Sequence, residues 1–209
     1  MKRLAPFLLA AVLLVSVACD RTLSQARKTV YVPWEEGLTL IYEDATLPSA
    51  ARFQERLQGR VSASKETPEG RRVTLTYSTL KSNNAFEFLN KDGGWVRMEG
   101  ATPLFRMLPE GFPDRVDRWE DQARGTTFQI IGRAALQNPY LKLPEDYDRI
   151  GIWVEMASKN GLKRRIFFLP NIGEAESQVL QDGRWVVVNQ LVSRGFTDLP
   201  TAATAPVSH

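Results

Sequence analysis

Hydrophobic and polar residues alternate with period two along much of the chain, the pattern of strands with one buried and one wet face. It is clearest at 72–79, where Val73, Leu75 and Tyr77 share one face and polar residues occupy the other. Similar β patterns occur at 38–42 and, interrupted by turns, from 149 to 192. The pattern predicts a mainly β protein.

Short turns separate the predicted strands. Asp92-Gly93-Gly94 is typical of a tight hairpin, and Gly-containing turns occur at 67–70, 159–161 and 181–183. Such connections leave no room for crossover helices, so the strands must be antiparallel. We expect one large curved antiparallel sheet, a meander forming an open half-barrel or a barrel-like sheet, with a covering loop or short helix.

The run 52–64 fits two periodicities. Phe53, Leu57 and Val61 have the spacing of one helix face, but they also share parity with Gly59, as residues on one strand face do. A glycine weakens a helix by about 1 kcal/mol relative to alanine. We therefore predict a long strand.

The segment 101–113 breaks the alternation. Because proline has no N–H for a sheet ladder, we predict an irregular segment that lies across the sheet near Trp153, with Phe105 and Leu108 pointing inward. It either packs over the open end of the sheet or forms the lid of a groove for an apolar ligand. The candidate groove or lid residues are Leu104, Phe105, Met107, Leu108, Phe112 and Trp153.

The first twenty residues have the plan of a secretory leader. Lys2 and Arg3 precede an uncharged apolar run at 4–17, which is shorter than the ~20 residues that span a bilayer. Ser16-Val17-Ala18-Cys19 resembles a bacterial lipobox, in which the cysteine is acylated and becomes the first mature residue. The alternative is ordinary cleavage after Ala18, which would release a soluble protein with a free thiol.

Acylation is the interpretation that the single cysteine favours, because an unpaired thiol in an oxidising compartment would otherwise be exposed to cross-linking. We predict a lipoprotein signal at 1–18, a tether at 19–29, a single β domain at 30–197 and a disordered tail at 198–209. The lipid anchor, palmitate included, would hold the protein on a membrane, facing the periplasm or the exterior. Asp20 resembles the sorting residue that retains lipoproteins in the inner membrane of enterobacteria-like envelopes.

Charge and composition exclude several function classes. Lys2 and Arg3 account for two of the three net positive charges of the 209-residue chain, so the pI of 9.1 does not predict nucleic-acid binding. Aromatic residues make up 10% and charged residues 24% of the chain, as in ordinary folded proteins. With one cysteine, no disulfide within the chain can support the fold, and the core must suffice.

Candidate catalytic chemistry is sparse. The only histidine is His209, which excludes histidine-based triads and metal sites, and the sequence has no phosphate or calcium loop. We therefore expect a non-enzymatic protein without a cofactor or metal. Paired carboxylates at 174 and 176 and at 146 and 148 fit solvated strand faces better than acid–base work. The basic clusters at 71–72 and 163–165 also fit solvated faces, with headgroup contact as the alternative.

Two short motifs carry a family resemblance. Tyr31-x-Pro33-x3-Gly37-x4-Tyr42 resembles the entry strand of many secreted bacterial β domains. The run 168–175 is similar to their aromatic-x-Pro-Gly-Val-Gly turn, with Asn171 in place of the first glycine. Those families are mostly lipoproteins, some with the open half-barrel of the LolA and LppX type. The resemblance implies a curved antiparallel sheet wrapped around a groove for acyl chains.

Two functions of different class follow. One is a carrier that binds a lipid or another apolar ligand in the groove of its sheet. The other is an envelope scaffold with a filled core and another envelope protein as its partner. Both contact the membrane through the anchor and neither binds nucleic acid. A groove lined by apolar side chains would favour the carrier, and a solid core would favour the scaffold.

Overall fold

The computed structural model describes residues 30–52, 54–143 and 147–196. The predicted signal, Cys19, Asp20, the tether, the tail and Asp146 lie outside these residues, and their roles stay predictions. No helix in the described ranges is long and apolar enough to cross a membrane.

The described residues form twelve strands and one four-residue helix. In chain order the elements are β1 Leu38–Asp44, α1 Ser49–Arg52, β2 Leu57–Thr67, β3 Gly70–Ser78, β4 Asn83–Lys91, β5 Gly94–Glu99, β6 Thr102–Leu108, β7 Arg118–Asp121, β8 Thr126–Ala135, β9 Ile150–Ser158, β10 Lys163–Leu169, β11 Gly173–Gln181 and β12 Arg184–Phe196.

All twelve strands belong to one antiparallel sheet with the order β6-β5-β4-β3-β2-β1-β12-β11-β10-β9-β8-β7. The two edges of the sheet approach each other. The ring of Phe105 in the edge strand β6 lies 5.9 Å from that of Phe128 in β8, the strand that pairs with the other edge strand, β7. The guanidinium of Arg124, in the β7–β8 turn, stands 5.0 Å from the Phe105 ring. The sheet therefore curls until it is nearly closed into a barrel, and the predicted fold class is confirmed.

The prediction that 101–113 stays outside the sheet is wrong. Residues 102–108 form β6, which pairs with β5, and Pro103 lies opposite Met98 in that ladder. An edge strand makes ladder bonds on one side only, so it tolerates a proline that a central strand would not. Pro109 and Pro113 follow the strand.

The prediction of a strand over the whole of 52–64 is also wrong at its start. The chain forms α1 up to Arg52, whose guanidinium donates to the carbonyls of Leu47 and Ala45, and β2 begins only at Leu57. Within β2 the strand prediction is confirmed. Gly59 serves packing there, because a Cβ on it would stand 3.1 Å from the ring of Tyr77.

One end of the inner face, which we call the packed end, is filled with aromatic rings. The segment before β1 brings Trp34 within 4.7 Å of Phe88 and 4.8 Å of Trp95. The loop after β6 inserts Phe112, whose ring contacts those of Tyr31, Trp119 and Phe168 at 5.5 to 5.9 Å. These two non-strand segments close this end of the sheet.

The turn between β10 and β11 holds the first described residues in place. Asn171 has a φ of 56° and Gly173 a φ of 106°, the left-handed region that glycine and asparagine adopt most readily. The Asn171 backbone N–H donates to the carbonyl of Val30, and its side-chain oxygen accepts from the Val30 N–H. Asparagine can therefore replace the glycine of the related motif and add a side-chain contact.

The outer face of β9 to β12 carries a second, smaller apolar layer. Trp153 lies there, with its ring 4.9 Å from that of Phe167, so the prediction that 101–113 lies near Trp153 is wrong. Phe167 is buried, as are Leu136 and Leu141 in the segment after β8. The Asn138 side chain donates to the carbonyl of Leu191 in β12. The segment 136–143 therefore crosses to β12 and covers part of this face.

Candidate ligand-binding cavity

The inner face away from the packed end is not filled. An open cavity of about 490 Å³ remains there, within the ~300–1,000 Å³ typical of small-molecule sites. Its lining comes from both halves of the sheet and includes aromatic, apolar and charged side chains: Tyr42, Leu57, Tyr77, Phe86, Phe88, Arg97, Phe105, Met107, Arg124, Arg164, Glu174 and Asn189.

Two other depressions have less of the character of a binding site. The larger, about 870 Å³, lies beside the packed end and mixes two arginines with three acidic side chains. A groove of about 480 Å³ at the meeting of the sheet edges is lined by residues 103–106 of β6, by 120–123 and by the apolar side chains of Leu89, Val96 and Met98. Each of these two depressions has one more acidic than basic side chain in its lining, whereas the inner cavity joins an apolar wall to an excess of two cations.

The apolar wall of the cavity belongs mainly to β4 and β6. The ring of Phe86 lies 6.0 Å from that of Tyr77, and Phe105 and Met107 project from β6 into the same space. Gly59 opposite Tyr77 leaves room for the tyrosine ring. Alternation along the strands brings these residues to one face; it was predicted for Tyr77 in β3 but not for the β6 residues, which the sequence pattern placed outside the sheet.

A charged pair crosses the floor of the cavity. Arg164 of β10 donates to the Glu174 carboxylate at 3.2 Å and to the Ser177 hydroxyl at 3.0 Å. The Tyr42 hydroxyl donates to the backbone carbonyl of Glu174 at 3.1 Å. Burial raises the pKa of Glu174, and the Arg164 guanidinium offsets part of that rise. The pair therefore lies where desolvation of the carboxylate is costly.

Arg97 is the least compensated charge in the cavity. Its guanidinium stacks 4.2 Å from the Phe86 ring, and its Nε is buried without a hydrogen-bond partner. In the described ranges no carboxylate lies within 4.0 Å of it. Arg124 has only a carboxylate oxygen of Asp121 at 4.0 Å. Three guanidinium groups therefore line the cavity against one carboxylate, that of Glu174.

Both tyrosines of the cavity stay neutral over the physiological range. Burial raises the pKa of Tyr42 well above its usual value, and it raises the pKa of Tyr77 as well. A neutral phenol keeps its proton and donates hydrogen bonds. The polar side chains of the lining therefore present mainly hydrogen-bond donors. The acceptors are the Glu174 carboxylate, the Asn189 side-chain carbonyl and the phenol oxygens.

The structure separates the predicted groove residues. Phe105 and Met107 line the cavity, whereas Leu104 lines the groove at the sheet edges. Leu108 and Phe112 are buried in the core, and Trp153 lies on the outer face. Of the predicted set, only Phe105 and Met107 therefore share the inner cavity.

The carboxylates Glu174 and Glu176 do not share a strand face. They lie opposite Phe168 and Phe167, and the register shifts between these two pairs. Since consecutive residues of β10 point to opposite faces, the bulge turns Glu174 to the cavity and Glu176 outward. Gln178 donates to Glu176 at 2.8 Å. The predicted pairing of these two acids is wrong because a bulge resets the alternation.

The basic cluster at 163–165 is also divided between the two faces. Arg165 lies outside, 3.4 Å from Glu155 and with its guanidinium 3.8 Å from the Trp185 ring. Arg164 lines the cavity, so the solvated-face prediction is wrong for it. Arg97 was not singled out from the sequence, although its parity with the core residue Trp95 places a cation on the buried face. That parity is the signal that could have found it.

Metal binding has no candidate among the described residues. No group of three or more His, Cys, Asp or Glu side chains there is placed to hold an ion. The arrangement of the cavity suits noncovalent binding, in which arginine and tyrosine donors meet an acceptor and aromatic rings cover an apolar part.

Comparison with known proteins supports the architecture. No protein-family model matches the chain, and no curated protein matches it. A solved structure from Bacteroides fragilis, of a protein predicted to be exported and with a YmcC-like fold, is 11% identical and superposes with a TM-score of 0.50. The alignment covers 80% of this chain and 99% of that one. This likeness shows the fold.

A second solved structure is of a predicted lipoprotein from Parabacteroides distasonis. It is 12% identical, has a TM-score of 0.46, and the alignment covers 80% of this chain and 99% of that one. The resemblance to the LolA and LppX type stays a prediction.

Proposed function

We propose that this protein is a non-enzymatic lipoprotein of the bacterial cell envelope, anchored through Cys19, that binds a small ligand with an apolar part in the inner cavity of its sheet. The observation that carries the binding proposal is the cavity itself. The packed end demonstrates that this sheet can be filled with side chains, yet about 490 Å³ beside Phe86, Phe105 and Met107 is left open.

The anchor proposal rests on the leader sequence. The basic start, the apolar run and Ala18-Cys19 match the plan of a lipoprotein signal, and two or three acyl chains hold a protein on a membrane stably. One of the two similar solved structures is of a predicted exported protein and the other of a predicted lipoprotein, which is consistent with a location in the cell envelope. The scaffold function is the alternative that a filled cavity would have favoured.

Ligand binding can be tested with a photoreactive methyl ester of dodecanoic acid, a neutral apolar probe. The full-length protein in phosphatidylcholine vesicles should cross-link through residues that line the cavity, as mapped by mass spectrometry. Phe105→Ala should lower the cross-linking yield severalfold, because the substitution removes part of the apolar wall. Leu104→Ala is the matched control, since Leu104 neighbours it in sequence but lines the outer groove. Absence of cavity cross-links in the wild type, both with this ester and with photoreactive dodecanoate, would refute the binding proposal.

The anchor can be tested by fractionation. Cys19→Ala should leave either an uncleaved precursor or a form that no longer stays with membranes after a carbonate wash, whereas the wild type should remain bound. The acylated N-terminal peptide should be detected by mass spectrometry in the wild type alone. A Cys19→Ala protein that is processed and bound as firmly as the wild type would contradict a lipid anchor at this residue.

A further inference from the structure

We propose that the cavity selects an anionic amphiphile, a ligand with one carboxylate or phosphate head and an apolar tail, and that Arg97 and Arg164 bind the head. This inference deepens the proposed function and rests on it. It assigns a ligand class to the site, where the apolar wall alone would accept any small hydrophobic molecule.

Charge is the first step of the argument. Arg97, Arg124 and Arg164 face one space that holds a single carboxylate, Glu174. Cations of like sign repel each other, and they do so more strongly where protein excludes water. An anion bound among them would relieve that repulsion, whereas a neutral ligand would only remove more water from them.

Unused hydrogen-bond donors are the second step. The Nε atoms of Arg97 and Arg164 are both buried without partners. Arg60 and Arg194 share this property, but neither lines the cavity. Stacking on Phe86 fixes the plane of the Arg97 guanidinium and leaves its edge for a carboxylate or phosphate oxygen, the geometry that arginine recognises best.

The apolar wall is the third step. Leu57, Phe86, Phe88, Phe105 and Met107 line the same cavity as the arginines, so one molecule can place its head on the cations and its tail on the rings. Simple anions would leave this wall exposed to water, and hydrocarbons would leave the arginine donors without acceptors. A molecule that combines both parts satisfies the whole lining.

Competition against the photoreactive ester tests this inference on the full-length protein in phosphatidylcholine vesicles. We expect dodecanoate to compete at least about tenfold better than methyl dodecanoate, because only the acid can make charge-assisted hydrogen bonds with its carboxylate, and a tenfold ratio corresponds to about 1.4 kcal/mol. Arg97→Gln should reduce that preference to less than about threefold while ester cross-linking persists, which also reports that the variant is folded. Arg165→Gln, the same charge change on the outer face, should leave the preference unchanged.

The outcomes separate this inference from the proposed function. Equal competition by acid and ester would overturn anion selection and leave apolar binding intact. An Arg97→Gln variant with the full preference would overturn the assignment of the head to Arg97. No cavity cross-linking by ester or by photoreactive dodecanoate would refute both. Butyrate competing as well as dodecanoate would refute the apolar part and support the anion site. Stronger competition by dodecyl phosphate than by dodecanoate would support anion selection with phosphate as the head.

Discussion

The two ends of the inner face are built from the same strands and have opposite character. At the packed end, Trp34 and Phe112 enter from outside the strand ladders and fill the space between rings. At the cavity end, every lining residue in the described ranges except Arg124 of the β7–β8 turn belongs to a strand, and Arg97 and Arg164 take inward positions. The sheet supplies the enclosure, and the segments outside the strands determine whether that enclosure is core or cavity.

The contrast between packed core and open cavity also occurs within one strand, between two positions that are two residues apart. In β5, Trp95 is 1% exposed and packs on Trp34, whereas Arg97 faces the same side and has no carboxylate partner among the described residues. Phe88 in β4 lies opposite Arg97 and lines the cavity. A core side chain and a cavity side chain therefore occupy neighbouring inward positions of one strand, so substitutions can change the packing and the cavity separately.

Truncation at the two ends gives the largest expected difference. Trp95→Ala should cost about 3–5 kcal/mol of unfolding free energy, as for a well-packed aromatic. Phe105→Ala should cost clearly less, because its ring already borders open space. Urea denaturation of both variants provides the comparison. Equal losses would mean that the cavity end is as well packed as the other end, and the contrast would fail.

The β10–β11 turn gives the next largest effect. Asn171→Ala should lower the unfolding free energy by about 1–3 kcal/mol, because alanine disfavours the positive φ and cannot accept from the Val30 N–H. Asn171→Gly relaxes the φ strain and loses only the side-chain bond, so it should cost less. Thermal melts of the pair measure the difference. If glycine proves as damaging as alanine, the side-chain contact rather than φ determines the cost.

The smallest expected effect is a pH dependence of the unfolding free energy caused by Glu174. Burial raises its folded-state pKa, so between the ordinary glutamate value and the raised value the folded state holds more of the proton than the unfolded state. Stability should therefore fall as pH rises through that window and level off above it. Glu174→Gln should remove this part of the slope. An unchanged slope in unfolding measured from pH 4 to 8 would show that another group causes it.

Much of the fold was predictable because alternation, turn residues and the single antiparallel meander reinforce one another. At 72–79 the predicted faces are confirmed, since Val73 and Leu75 are buried. The prediction was wrong where the position of a segment in the sheet, or its tertiary contacts, outweighed its local sequence pattern. Pro103 is accepted because β6 is an edge, and residues 49–52 form a helical turn whose carbonyl contacts with Arg52 lie outside any periodic pattern.

The site was less predictable than the fold. Phe105 could be identified from its apolar surroundings, but which strands face each other across the cavity depends on how far the sheet curls. Bulges also matter, because a one-residue shift near Glu174 reverses the face of every residue beyond it. Arg97 is the opposite case. Its parity with Trp95 was sufficient to place it on the inner face, and the sequence-based prediction overlooked that a cation at such a position is a candidate binding residue.

The bonds between Val30 and Asn171 determine where the predicted anchor at Cys19 would attach to the domain. Val30 leaves the domain at the packed end, and ten residues lie between it and Cys19, a connection that spans at most about 40 Å when extended. A lipid anchor at Cys19 would therefore attach to the packed end of the domain rather than to its cavity end.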